Sequence, residues 1–148
     1  TAALDFWARP GARHAAGYSK ALVEWATRTL AERWGSGRLL GPELCATMTL
    51  VALPAQATSW TGGASLGDAA RLMQDALHQL RVECPVKAVA GGLYLRLSAW
   101  IYNEPADYIA LARAVEQVLG LDSDSRPPAP FQWSPPVTPD IPQEPESH

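Results

Sequence analysis

Residues 93–103 read Leu-Tyr-Leu-Arg-Leu-Ser-Ala-Trp-Ile-Tyr-Asn, an alternation of apolar and polar positions with a single charge in its middle. A period of two is the pattern of a half-buried strand. Leu93, Leu95, Leu97 and Ala99 fall on one face, and Tyr94, Arg96, Ser98 and Trp100 fall on the other. The Arg96 guanidinium therefore stands among rings and a hydroxyl, as a planar fork of donors that can grip a carboxylate through two parallel hydrogen bonds. A plainer use is open to the same residue, pairing with Glu83 or Glu104 on a solvated face. Ser98, Trp100 and Tyr102 either shape the mouth of an anion site or serve ordinary cross-strand packing. Cys45 and Cys84 lie apart on apolar segments, and with three scattered histidines they form no recognisable zinc ligand set. Both read as buried thiols of a reducing compartment.

The elements that must hold this strand are legible on either side of it. Residues 82–90 and 93–100 flank Gly91-Gly92, a link that tolerates the positive φ of a tight turn, so the two should pair antiparallel. Pro85 lacks a donor and pushes the first of them to a sheet edge or a bulge. Residues 18–34 place Leu22, Val23, Ala26, Leu30 and Trp34 three and four apart before Gly35, which predicts an amphipathic helix. Its outer face carries Lys20, Glu24, Arg28 and Glu32 at four-residue steps, each opposite pair adding about 0.2–0.5 kcal/mol. Residues 9–13 read as a helix end running into a turn. Residues 46–53 predict a strand on which Met48, Leu50 and Ala52 share a face. Residues 55–67 read as a loop around Gly62-Gly63, with Trp60 either packed back or offered as a contact. Asp68 can cap the next helix, whose stripe is Leu72, Met73, Ala76, Leu77 and Leu80. Asn103 or Glu104 caps the last one, with Pro105 in its first turn and Tyr108, Leu111, Ala112, Val115 and Leu119 before Gly120. This order predicts an α+β fold, a small and mainly antiparallel sheet with helices packed on one face.

A chain of 148 residues with 47% hydrophobic and 18% charged content has room for one domain with a core. The net charge of -3 gives no basic field for nucleic acid or an anionic membrane surface, and no apolar run is as long as a membrane span. Together with the thiols, this points to a cytoplasmic protein. Residues 1–17 read as the remnant of an inter-domain segment, with Leu4, Phe6 and Trp7 as its apolar patch, and the opening at Thr1 reads as a cut from something longer. Residues 18–121 form the domain. From 122 to 148 the chain carries eight of its 13 prolines and reads as a disordered tail. Pro136, Pro139, Pro142 and Pro145 recur every third residue, along one edge of a polyproline II helix.

Residues 82–103, Val-Glu-Cys-Pro-Val through Tyr-Leu-Arg-Leu-Ser-Ala-Trp-Ile-Tyr-Asn, resemble the C-terminal small domain of class V aminotransferases, fold type I enzymes that use pyridoxal 5′-phosphate. The isopenicillin N epimerase-like branch is the most similar, since Ala2-Ala3-Leu4-Asp5-Phe6-Trp7, the run 48–54 and the segment 104–119 also match it. The resemblance reaches to about Gly120 and leaves out the tail. It implies that Arg96 binds the α-carboxylate of an amino-acid substrate, with Ser98 and Trp100 beside it, and so fixes which Cα bond faces the chemistry. It implies an isomerase or transferase of amino-acid metabolism that works as a homodimer. It also requires a cofactor lysine, an acidic partner and a phosphate cup, all of which the family carries in its large domain. Only Lys20 and Lys87 occur here, neither in a stretch resembling the cofactor-lysine motif. The expectation is a substrate-binding domain that docks to a large domain and neither holds the cofactor nor turns over by itself. The alternative is a truncated, non-catalytic product acting as an interaction or dimerisation module.

Overall fold

In the structure, a computed structural model, residues 10–122 and 127–135 are described. Leu4, Phe6 and Trp7, and the proline repeat from Pro136, lie outside them. The first helix, α1, runs over Pro10–Trp34, so the expected turn at residues 9–13 is instead the helix start. Proline is tolerated there because a first-turn N–H has no partner inside the helix. Gly35 ends α1 at φ +58°, and the Ser36 N–H returns to the Ala31 carbonyl at 2.9 Å.

Three strands follow: β1 over Met48–Ala52, β2 over Val86–Val89 and β3 over Gly92–Ser98. They pair antiparallel in the order β1-β3-β2, which puts the arginine-bearing strand in the centre. The register sets Arg96 opposite Leu50 and Tyr94 opposite Lys87. Thr49, Val51, Val86, Leu93, Leu95 and Leu97 are buried beneath the helices. The alternate positions, Met48, Leu50, Lys87, Tyr94, Arg96 and Ser98, form the sheet's open face. The β2–β3 hairpin turns one residue earlier than Gly91-Gly92, through Ala90 at φ +48° and Gly91 at φ +77°, because Gly92 already pairs with Val89. β2 is shorter than 82–90, and Pro85 lies just before it, as its missing donor requires.

The segment after α1 lines the outer edge of β1: the Ala52 N–H reaches the Gly37 carbonyl at 2.7 Å and the Leu39 N–H reaches the Leu50 carbonyl at 3.1 Å. A short helix, α2, occupies Gln56–Trp60 where a loop was expected. Its first turn is closed by the Ala57 N–H on the Pro54 carbonyl, with Ala57 in the core. Trp60, at its end, stays 39% exposed. Helix α3 spans Leu66–Gln79 and is capped by Ser65, not Asp68: the Ser65 hydroxyl accepts the Asp68 N–H at 3.2 Å. Of the expected stripe Met73 and Leu77 are buried, together with Ala69 and Ala70, while Leu72 faces out. Helix α4, Pro105–Leu119, begins at Glu104, whose carboxylate and that of Asp107 cap each other's backbone N–H, and ends at Gly120 with φ +64°.

Arg33 of α1 and Glu116 of α4 form a buried bidentate pair at 2.5 and 2.9 Å, joined by the Trp34 indole at 3.3 Å. The tail also departs from expectation where it is described: residues 127–135 lie against α1, with the Trp25 indole N–H on the Ala129 carbonyl at 2.8 Å. Among the described residues no helix is long and apolar enough to cross a membrane.

Candidate functional site

The alternation of β3 puts Arg96 on the open face, and its backbone N–H is fixed to the Pro85 carbonyl at 2.9 Å. The side chain is exposed and forms no ion pair among the described residues. Its two expected surface partners are engaged elsewhere. Glu83 meets the Nδ1 of His78, and Glu104 caps α4.

Arg96 lines a cleft of about 420 Å³ between β3, the connection leaving α3 and the start of α4. Ser98 lines it too, so the structure brings together two of the three site residues. Trp100 is not among the lining residues. Its backbone N–H donates to Asn103 Oδ1 at 2.9 Å and its carbonyl accepts the Asn103 N–H at 3.0 Å, a reciprocal pair that closes the turn over residues 100–103 and delivers Tyr102 and Asn103 to the cleft. Asn103 is thus a local cap, while the helix cap proper falls to Glu104. Tyr102 is 77% exposed, a ring at the surface of the site.

Two lining residues escaped the sequence reading. Arg81, just past α3, takes φ +62°, a left-handed conformation that usually falls to glycine or asparagine. Its only sequence signal was a place at the end of a helical stripe. Tyr108 was assigned to the core by its spacing, and its ring is buried. Its hydroxyl also spans from α4 to the sheet, donating to the Ser98 carbonyl at 2.8 Å.

The charges lining the cleft balance, Arg81 and Arg96 against Glu83 and Asp107, and the two acids already have partners. Glu83 and Asp107, the acids of the cleft, are held by His78 and by the Glu104 N–H, the latter at 2.9 Å. Burial pushes the Cys84 thiol up to about 12, against a smaller opposing effect of the nearby Arg96 charge. Cys84 therefore stays a thiol near neutrality and is no nucleophile. Burial likewise raises the Tyr108 phenol, with Asp107 adding to it. The arrangement can hold and orient a carboxylate.

The residues present do not fit pyridoxal phosphate. Lys20 is exposed on α1 and Lys87 is exposed on the open face of β2, and neither lines the cleft. Among the described residues no group of three His, Cys, Asp or Glu could hold a metal ion. No protein-family model matches the chain, and no curated protein matches it.

Proposed function

We propose that this chain is the substrate-carboxylate-binding small domain of a pyridoxal-phosphate-dependent amino-acid enzyme of the class V aminotransferase kind, close to isopenicillin N epimerase. The reading is supported above all by Arg96, a guanidinium without an ion pair among the described residues, on the open face of the central strand at a cleft whose acids are already bonded. Arg96 grips the α-carboxylate and Ser98 and Tyr102 border it, while the cofactor lysine comes from a large domain outside this sequence. The two free, buried cysteines support a reducing compartment, the cytoplasm.

A second reading, an interaction or dimerisation module, is favoured by the uncovered sheet face and the apolar residues beside the cleft. Met48 is 49% and Ile101 53% exposed. In the first reading a large domain or a second copy covers that face.

The test titrates the isotope-labelled chain with L-alanine and, separately, with ethylamine, which lacks the carboxylate. Alanine should move the Arg96 Nε–Hε resonance and the Ser98 and Tyr102 amides, and ethylamine should not. Arg96→Ala should weaken alanine binding about tenfold, the equivalent of one charge-assisted hydrogen bond. Equal responses to the two probes, or unchanged binding by the variant, would refute the assignment.

A further inference from the structure

We infer that the aromatic face of α1 is a recognition groove for proline-rich peptides, and that residues 127–135 occupy it as the chain's own ligand. The inference begins with Trp25, a buried ring whose indole N–H is a donor without an intrahelical acceptor. A buried donor left unmet is destabilising, so this position needs a carbonyl brought from elsewhere. The Ala129 carbonyl supplies it at 2.8 Å, from within Pro127-Pro128-Ala129-Pro130. Prolines contribute carbonyls but no N–H groups, so such a run keeps its acceptors free for an outside donor.

Beside that bond α1 presents two rings, Tyr18 and Trp25, and the segment 127–135 packs its own rings against them. Phe131 stands edge-on to both Tyr18 and Trp25, with centroids 5.7 and 5.9 Å apart, and Trp133 stands edge-on to Tyr18 at 5.3 Å. Aromatic walls with one indole donor aimed at a carbonyl are what extended, proline-rich chains bind, because such chains lose little entropy on docking. The fit leaves space: about 330 Å³ lies between Ala21, Trp25 and Arg28 on α1 and Pro130, Phe131 and Gln132 on the tail. Among the described residues, 127–135 therefore hold the groove without filling it.

The partner that matches is a proline-rich segment of another polypeptide, with two prolines ahead of the carbonyl that meets Trp25 and a bulky aromatic two residues after it. Tethering gives the tail an effective concentration in the millimolar range, so it screens out weaker competitors and yields to better ones.

The test uses a fluorescent peptide of sequence Pro-Pro-Ala-Pro-Phe-Gln-Trp-Ser-Pro and the whole chain. The Phe131→Ala, Trp133→Ala double variant should bind it at least about tenfold more tightly than the unaltered chain, where the tethered tail competes. Adding Trp25→Phe, which keeps a ring and removes the donor, should lose that binding, and a peptide with alanine at its prolines should bind poorly. In the unaltered chain, saturating peptide should shift the resonance of a fluorine-labelled Phe131 toward its free value, a readout that needs no variant to fold. Absence of displacement there would overturn the inference, as would equal binding by the first two proteins or binding indifferent to Trp25. A dimer that depends on Trp25 and on concentration would overturn the occupancy of the groove by the chain's own tail.

Discussion

Ala90 carries a methyl group into the left-handed region, at φ +48°, in the turn that joins β2 to β3. Both central residues of this turn need positive φ, and an L-residue there costs about 1 kcal/mol. Ala90→Gly relieves that cost and gives back part of it through the greater freedom of an unfolded glycine. A net gain of about 0.5 kcal/mol is expected in urea unfolding with an unchanged m-value, and a loss would show that the Ala90 side chain contributes packing. Arg81 is the other described non-glycine residue with positive φ, and there the strain sits at a lining residue of the cleft, as it often does in sites. At this scale Arg96 was legible, because strict alternation fixes which face a side chain takes. Arg81 was not, since nothing in its neighbours announces a left-handed backbone. Trp100 shares the parity of Arg96, yet β3 ends at Ser98, and past a strand's end parity no longer governs direction.

The elements were legible where one periodic pattern ran between clear stops, as in α4 between its cap at Glu104 and Gly120. They were misjudged where two caps competed. Ser65 and Asp68 can each begin a helix, and Leu72 was placed inside by its apolar character although the buried face runs through the small residues Ala69 and Ala70. The bond between α1 and α4 was hidden for another reason: Arg33 and Glu116 lie 83 residues apart, and no local pattern marks a charge that is to be buried. The two side chains are 8% and 3% exposed, so Glu116→Gln takes a bidentate charged partner from a guanidinium held away from water. Glu116→Gln should cost about 3 kcal/mol in chemical unfolding, whereas Arg33→Met together with Glu116→Leu should recover most of it. A Glu116→Gln loss within about 0.5 kcal/mol, the range of ordinary surface changes, would show that the fold does not depend on this pair.

For the molecule as a whole, the groups with raised pKa values set a limit in alkali. Burial raises the Cys84 thiol from 9.0 to about 12 and lifts the Tyr108 and Tyr18 phenols above 10.0. The folded chain thus holds these protons more tightly than the unfolded one. The associated stability is complete below about pH 9 and is lost as pH rises toward 12. Thermal midpoints should fall steadily above about pH 9, and Cys84→Ala should flatten the first part of the fall; a level profile to about pH 11 would contradict this. Within the tail, the described residues 127–135 depart from the expected disorder. Proline content argues against helix and sheet, but it does not prevent docking when a buried indole is waiting for a carbonyl.

The strip of backbone at residues 37–39 has a consequence for solubility. An unpaired strand edge is a template on which other chains can add, and this sheet offers almost none. One edge is already hydrogen-bonded by Gly37 and Leu39. The other is a four-residue strand that follows Pro85, carries the charge of Lys87 and has its first N–H taken by the Gln74 side chain at 3.1 Å. Growth of the sheet strand by strand, the route to fibrils, is hindered at both ends. Whatever associates with this sheet must approach it face-on, from the side that carries Arg96.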